Sequence, residues 1–216
     1  YSDKFGASLN EIYKILNFAK ENSISIHGLS FHVGSQNMSF RPWIEALKLY
    51  RLIINKYYKT IPTLRILNIG SGFPVKYNFD KCITIKEIAQ IVHQLIRSLP
   101  NDIEFWAEPG RILVANTGIL VCSVLRNLQR NKNRWLFIDM GVYHGLIEIL
   151  ESRGRLAYRI ESFKKGSLTR YNISGNTLDP DDTLATNIML PENLDMGDRI
   201  IIHDIGAYTT SFFTEY

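Results

Sequence analysis

Trp106-Ala107-Glu108-Pro109-Gly110-Arg111 sets an acid, a proline, a glycine and an arginine directly behind an apolar run. Proline cannot donate to a sheet ladder, so the run over 102–107 reads as a strand that stops there. Gly110 permits close backbone approach. Arg111 offers a planar fork of donors that suits phosphate or carboxylate. Glu108 beside it could hold a cation or a protonated ring nitrogen. A strand-to-loop turn with a surface ion pair uses the same residues, and the stretch alone leaves both readings open.

Two more clusters follow the same plan. His32 to Ser35 ends the apolar run 29–33, and Gly70-Ser71-Gly72 ends the run 64–69. Glycines after a strand let successive amides form an anion cradle, although a tight turn needs them equally. Ser35 could add a hydroxyl to that cradle. His32 could stack on a flat ligand, or be a hydrogen-bonded core histidine. A carboxylate such as Glu108 beside a pyridine nitrogen keeps the ring protonated and an electron sink, which is the chemistry pyridoxal phosphate needs.

The elements that must position these clusters can be read from periodicity. Ser8-Leu9-Asn10-Glu11 is a capping box, and Leu9, Ile12, Tyr13, Leu16 and Ala19 continue it as a helix ending near Asn22. Ser39 opens a second helix with Trp43, Leu47, Tyr50 and Ile54 on its buried stripe. Thr84-Ile85-Lys86-Glu87 opens a third, with Ile88, Ile91, Val92 and Leu95, and Pro100 closes it. Helices and buried strands thus alternate at roughly forty-residue spacing, the length of a βα unit. Right-handed crossovers between parallel strands put all three clusters on one carboxyl edge of a sheet. That edge is where barrels and open α/β sheets keep their sites.

Beyond Arg111 the pattern turns to strands: 112–115, 118–125, 135–139, 157–160, 168–173 and 199–203, with helix only near 145–151 and a tight turn at Met196-Gly197-Asp198. The α/β part is expected over 1–113 and a mainly β part over 114–216, with a return towards the first part near the end left open.

Composition excludes several classes. The net charge is +4, and the densest basic groups, 126–134 and 153–159, read as solvated faces rather than a nucleic-acid surface. Cys82 and Cys122 lie far apart without histidines at ligand spacing, which argues against a disulfide scaffold or a zinc site. A reducing cytoplasm is the simpler setting. No apolar run is long enough to span a bilayer and no signal peptide is visible, so no membrane partner is expected. The start at Tyr1 without Met, and the end just after an aromatic stretch, read as a trimmed chain or a piece of a longer protein.

Four motifs carry a family resemblance: His27-Gly28-Leu29-Ser30-Phe31-His32-Val33-Gly34-Ser35, Leu67-Asn68-Ile69-Gly70-Ser71-Gly72-Phe73-Pro74, Ala107-Glu108-Pro109-Gly110-Arg111 and Gly206-Ala207-Tyr208-Thr209. In this order and at these intervals they resemble the pyridoxal-phosphate-dependent ornithine, lysine and diaminopimelate decarboxylases of the alanine-racemase-like fold. The stretch from Asp139 to Glu148 is most similar to the bacterial ornithine/lysine decarboxylase branch, and Lys4-Phe5-Gly6 also fits. The resemblance implies the C-terminal half of a (β/α)₈ TIM-type barrel followed by a mainly β domain. It assigns His32 to stack on the cofactor ring and Glu108 to pair with the ring nitrogen. Ser35, Gly72, Gly110, Arg111 and Tyr208 hold the phosphate, with Gly70 and Pro109 in the same cofactor-binding loops. It also implies a homodimer with shared active sites, a small amino-acid substrate and decarboxylation of ornithine or lysine to a diamine.

Three departures from the family pattern stand out. The lysine that carries the cofactor lies upstream of the Lys4-Phe5-Gly6 region in the family, so this chain has no counterpart and is not expected to be catalytic alone. The segment from Gly175 to Asp182 matches a motif whose proton-donating cysteine is Leu178 here, while Asp179, which meets the distal amine of the substrate, and Asp182 are retained. Leucine has no proton to give. Asn68 and Ser71 replace the usual aspartate and middle glycine. Leu178 therefore opens an alternative: a catalytically impaired, regulatory or vestigial relative of the decarboxylases.

Overall fold

The Ser8 hydroxyl accepts from the Glu11 amide at 3.3 Å, and the Glu11 carboxylate takes the Ser8 amide at 2.7 Å. This reciprocal cap opens α1 (Leu9–Glu21), which buries Leu16 and Ala19. The same box at Thr84 and Glu87 opens α3 (Ile85–Ile96), which buries Ile88 and Val92. Between them, α2 (Arg41–Tyr57) buries Trp43, Leu47, Tyr50 and Ile54 as its periodicity predicts. It starts two residues later than expected: Phe40 is the cap, and Ser39 Oγ accepts from the Arg41 amide at 3.3 Å. The Pro42 ring fits the first helical turn, where its missing amide costs nothing.

The computed structural model describes residues 4–78, 80–152 and 156–215. They divide into two units. The first contains the described residues up to Val75 and those from Lys81 to Gly110. Its sheet is parallel, in the order β1 (Gly28–Ser30), β2 (Ile66–Asn68) and β3 (Glu104–Trp106). The parallel strands and intervening helices make this an α/β unit. Each strand is shorter than its apolar run, because the residues that follow bond across the sheet from loop conformations: Phe31 N donates to Asn68 O at 3.2 Å and Ile69 N to Trp106 O at 2.9 Å. The core lies between β2 and the helices, with Leu64 and Leu67 fully buried and Trp43 stacked on Phe73 at 5.9 Å. The run 29–33, expected as a buried strand, buries only Val33, and every residue of β3 is exposed.

The second unit takes the described residues of Lys76–Asp80 and those from Arg111 on. Its six-stranded sheet has the order β6 (Ile160–Ser162), β9 (Arg199–His203), β4 (Ile119–Arg130), β5 (Asn133–Ile138), β7 (Leu168–Ser174) and β8 (Thr183–Pro191). β5 and β7 pair in parallel and the other neighbours antiparallel. The central strands bury Cys122, Val124, Leu136, Ile138, Tyr171, Ile173, Ile200 and Ile202. Burial pushes the Cys122 thiol up to about 12, so it behaves as a small apolar side chain.

Several elements differ from the periodicity; the strand expected over 157–160, for one, is β6 at Ile160–Ser162. Residues 112–115, expected as strand, form α4 (Arg111–Val114) and a 3₁₀ turn (Ala115–Thr117). Thr117 Oγ1 donates to Val114 O at 2.7 Å and Gly206 N to Ala115 O at 2.8 Å, so tertiary contacts override a β-rich composition. A Cβ on Gly206 would stand 1.9 Å from Val114 O, which requires glycine there. The strand β8 is not legible in the sequence. Asn187 sits at φ 59° and the register with β7 shifts twice, so its polar and apolar residues do not alternate. Near 145–151 only Glu148–Glu151 is helical; this is α5. No helix among the described residues is long and apolar enough to cross a membrane.

Candidate functional site

In the first unit the three carboxyl-edge loops are bonded to one another. Gly70 adopts φ +65° and Gly72 φ +107°, both in the left-handed region that glycine tolerates. A Cβ on Gly70 would lie 1.9 Å from Phe31 O, and one on Gly72 2.5 Å from Gly34 O, so the loops after β1 and β2 lie backbone against backbone. Asn37 N closes the contact by donating to Gly72 O at 3.0 Å. Gln36 adds a pair of bonds to Val75, one to its carbonyl at 2.6 Å and one from its amide at 3.0 Å.

The loops after β2 and β3 are joined through Asn68. Its Nδ2 donates to Glu108 Oε1 at 2.6 Å, and its Oδ1 accepts from the Gly70 amide at 2.9 Å. Glu108 N donates to Gly70 O at 2.8 Å. Glu108 is exposed, and its second carboxylate oxygen has no partner among the described residues. The Gly70 amide is spent inside the protein. The Gly72 amide is buried and has no protein acceptor among the described residues. His32 and Ser35 are exposed in the loop after β1, and Pro109 and Gly110 in the loop after β3. Sequence reading singled out Gly70, Gly72 and Glu108, and the structure brings them together. Asn68 was noted only as a departure, and no spacing signals that it reaches a residue 40 positions away.

In the second unit Arg111 is 5% exposed and bidentate to Glu148: its two terminal nitrogens donate at 2.9 and 2.6 Å. The Tyr77 hydroxyl also accepts from it, at 2.8 Å, and the Tyr208 ring lies 4.6 Å from the guanidinium carbon. Burial by itself would lower the Arg111 pKa, but the bonds to Glu148 and Tyr77 hold the charge and raise it. Burial raises the Tyr77 hydroxyl, against the opposing pull of Arg111. Tyr208 is half exposed and sits at φ 55°. Glu148 and Tyr77 were not anticipated as partners of Arg111, because 37 and 34 residues separate them and only folding brings them into reach.

The 175–182 loop hangs on Asp182, which is fully buried. Its carboxylate accepts from Val142 N at 2.8 Å, Thr177 N at 3.2 Å and Thr177 Oγ1 at 2.8 Å. A Cβ on Gly141 or Gly175 would come within 2.2 Å of that carboxylate. Asp179 accepts from the Tyr143 hydroxyl at 2.6 Å. That bond, with another from the Asp181 amide, keeps Asp179 below the usual aspartate range. Leu178, next to it, is fully exposed. The arrangement presents an ionised carboxylate beside an apolar side chain with no proton to give.

A parallel sheet edge with an unpaired carboxylate oxygen, an unpaired buried amide and close-approach glycines suits a ligand with a protonated ring nitrogen and an anionic arm. The family model described as pyridoxal-dependent decarboxylase, pyridoxal binding domain, matches residues 1–115. The chain belongs to the pyridoxal-dependent decarboxylases. Among its relatives in that family, the lysine/ornithine decarboxylase of Selenomonas ruminantium is 30% identical over 99% of this chain and 53% of that protein. A diaminopimelate decarboxylase of Helicobacter pylori is 29% identical over 99% of this chain and 52% of the relative. The solved structure of a Vibrio vulnificus lysine/ornithine decarboxylase complexed with cadaverine superposes with a TM-score of 0.89 at 34% identity, covering 100% of this chain and 58% of that one. The chain therefore spans about half the length of the decarboxylases it matches.

Proposed function

We propose that the full-length protein is a pyridoxal-phosphate-dependent decarboxylase that removes CO₂ from a basic amino acid, ornithine or lysine, to give a diamine. The bonded edge of Asn68, Gly70, Gly72 and Glu108 carries this reading: it fits both ends of the cofactor. The exposed Glu108 oxygen suits the ring nitrogen, and the unpaired Gly72 amide suits a phosphate oxygen. When bound, the cofactor supplies the electron sink for cleaving the bond to the carboxyl group.

The remaining roles extend the family resemblance residue by residue. His32 stacks on the ring. Ser35 and Gly110 join Gly72 at the phosphate, with Gly70 and Pro109 shaping the loops. Gly70 acts through its backbone conformation, since Asn68 already takes its amide. Arg111 and Tyr208 are the second unit's phosphate residues. A phosphate on Arg111 would share the guanidinium with Glu148 and Tyr77. Asp179, already ionised and held by Tyr143, takes the distal ammonium of the substrate. We place residues 1–113 in the C-terminal half of a (β/α)₈ barrel and 114–216 in the mainly β domain. The working form is a homodimer in the cytoplasm.

The test is to assay the full-length protein with pyridoxal phosphate for CO₂ release from ornithine, lysine and diaminopimelate. Release from ornithine or lysine is expected, and no release from any of the three refutes the proposal.

Leu178 favours a second reading, a catalytically impaired regulatory or vestigial relative, because the position that delivers a proton in the family is an exposed leucine. A positioned acid contributes on the order of 10²–10⁴-fold in rate. If decay elsewhere accompanies the substitution, Leu178→Cys recovers little activity. A gain approaching that range sinks this second reading.

A further inference from the structure

We propose that Asn68 is a positioning residue: its side-chain amide anchors one oxygen of Glu108 and leaves the other for the ring nitrogen of a bound pyridine. This rests on the reading of Glu108 as the ring-nitrogen partner. The Gly70 amide, 2.9 Å from Asn68 Oδ1, can only donate, so the oxygen of Asn68 must face it. The Asn68 NH₂ must then face Glu108 Oε1, 2.6 Å away. The flipped orientation would set donor against donor at Gly70 and acceptor against acceptor at Glu108. The orientation of the amide is therefore dictated by its two partners.

At 2.6 Å the Asn68 amide holds Glu108 by one carboxylate oxygen. With the bond from Glu108 N to Gly70 O, residues 68, 70 and 108 close into a ring of three hydrogen bonds. An exposed glutamate outside such a ring samples many rotamers, and a ligand must order it at an entropic cost. Here that ordering is done before any ligand arrives. An aspartate at position 68, the usual family residue, would place acceptor against acceptor unless a proton lay between the two carboxyls. The asparagine needs no such proton.

Affinities measured on the full-length protein by equilibrium dialysis separate the possibilities. The probes are pyridoxal phosphate and its deaza analogue, in which a carbon replaces the ring nitrogen. The wild type should prefer pyridoxal phosphate, and Glu108→Gln should collapse that preference. Asn68→Ser keeps an oxygen that can accept from the Gly70 amide, but it is too short to reach Glu108 as well. It should lower the preference about tenfold, with thermal stability and affinity for the deaza analogue near wild type. A preference that falls with Glu108→Gln but not with Asn68→Ser overturns the role of Asn68 alone. A preference insensitive to Glu108→Gln overturns the reading of Glu108, and this proposal with it. Equal loss of both ligands in Asn68→Ser marks a merely structural residue and also overturns the proposal.

Discussion

At the scale of residues, the acids in this chain are distinguished by what holds them. Glu108 meets an amide donor, Asp179 a phenol, Asp182 two amides and a hydroxyl, and Glu148 a guanidinium. Of these four acids, Glu148 is the one held in an ion pair, bidentate from the buried Arg111. The Asp179 carboxyl titrates below the usual aspartate value of about 4, chiefly because Tyr143 donates to it. A lowered folded-state pKa contributes stability above the unfolded value, and that stability is lost as pH falls through the folded value. Tyr143→Phe should therefore melt below wild type at neutral pH, and the gap should close below about pH 4. Thermal melts across that range check it, and a gap that does not change with pH would assign the effect to packing instead. The types of these acids are plain in the sequence. Their distant partners are not, because the bonds to Asn68, Tyr143, Val142 and Arg111 span 36 to 40 residues.

At the scale of elements, local chemistry was highly legible wherever it was local. Both capping boxes form as their four-residue spacing demands, and the buried stripe of α2 falls on the residues its period selects. Thr84→Ala should remove the N-terminal anchor of α3 and cost about 1 kcal/mol, measurable as a lower denaturation midpoint at unchanged slope. Legibility fails where a distant segment decides. Residues 112–115 are β-rich but form a helical turn, because Gly206 abuts Val114 and bonds Ala115. The strand β8 escapes notice because its partner β7, through two register shifts, sets a pattern that alternation cannot reveal.

At the scale of the whole molecule, the two units are built on unlike sheets. The first has three strands of three residues, with β1 and β3 each paired on one side among the described residues. The second has six strands, and its central members are longer and lined with fully buried aliphatic residues. Amides in β4, β5, β7 and β9 of the 216-residue chain should therefore resist hydrogen exchange longer than those of β1 to β3. Faster exchange in the larger sheet would contradict this. The sequence by itself determined the α/β order of the first unit, the cluster after each of its strands, and membership of the decarboxylase family, since these rest on short-range patterning and motif order. It also exposed Leu178 as a residue without a proton to give. Tertiary structure alone decided that Asn68 bridges Gly70 and Glu108, that Glu148 takes the fork of Arg111, and that Asp182 suspends the loop bearing Leu178 and Asp179. The physical reason is the same in each case. A hydrogen bond needs its two groups within about 3 Å, and only the folded chain brings residues so far apart in sequence that close.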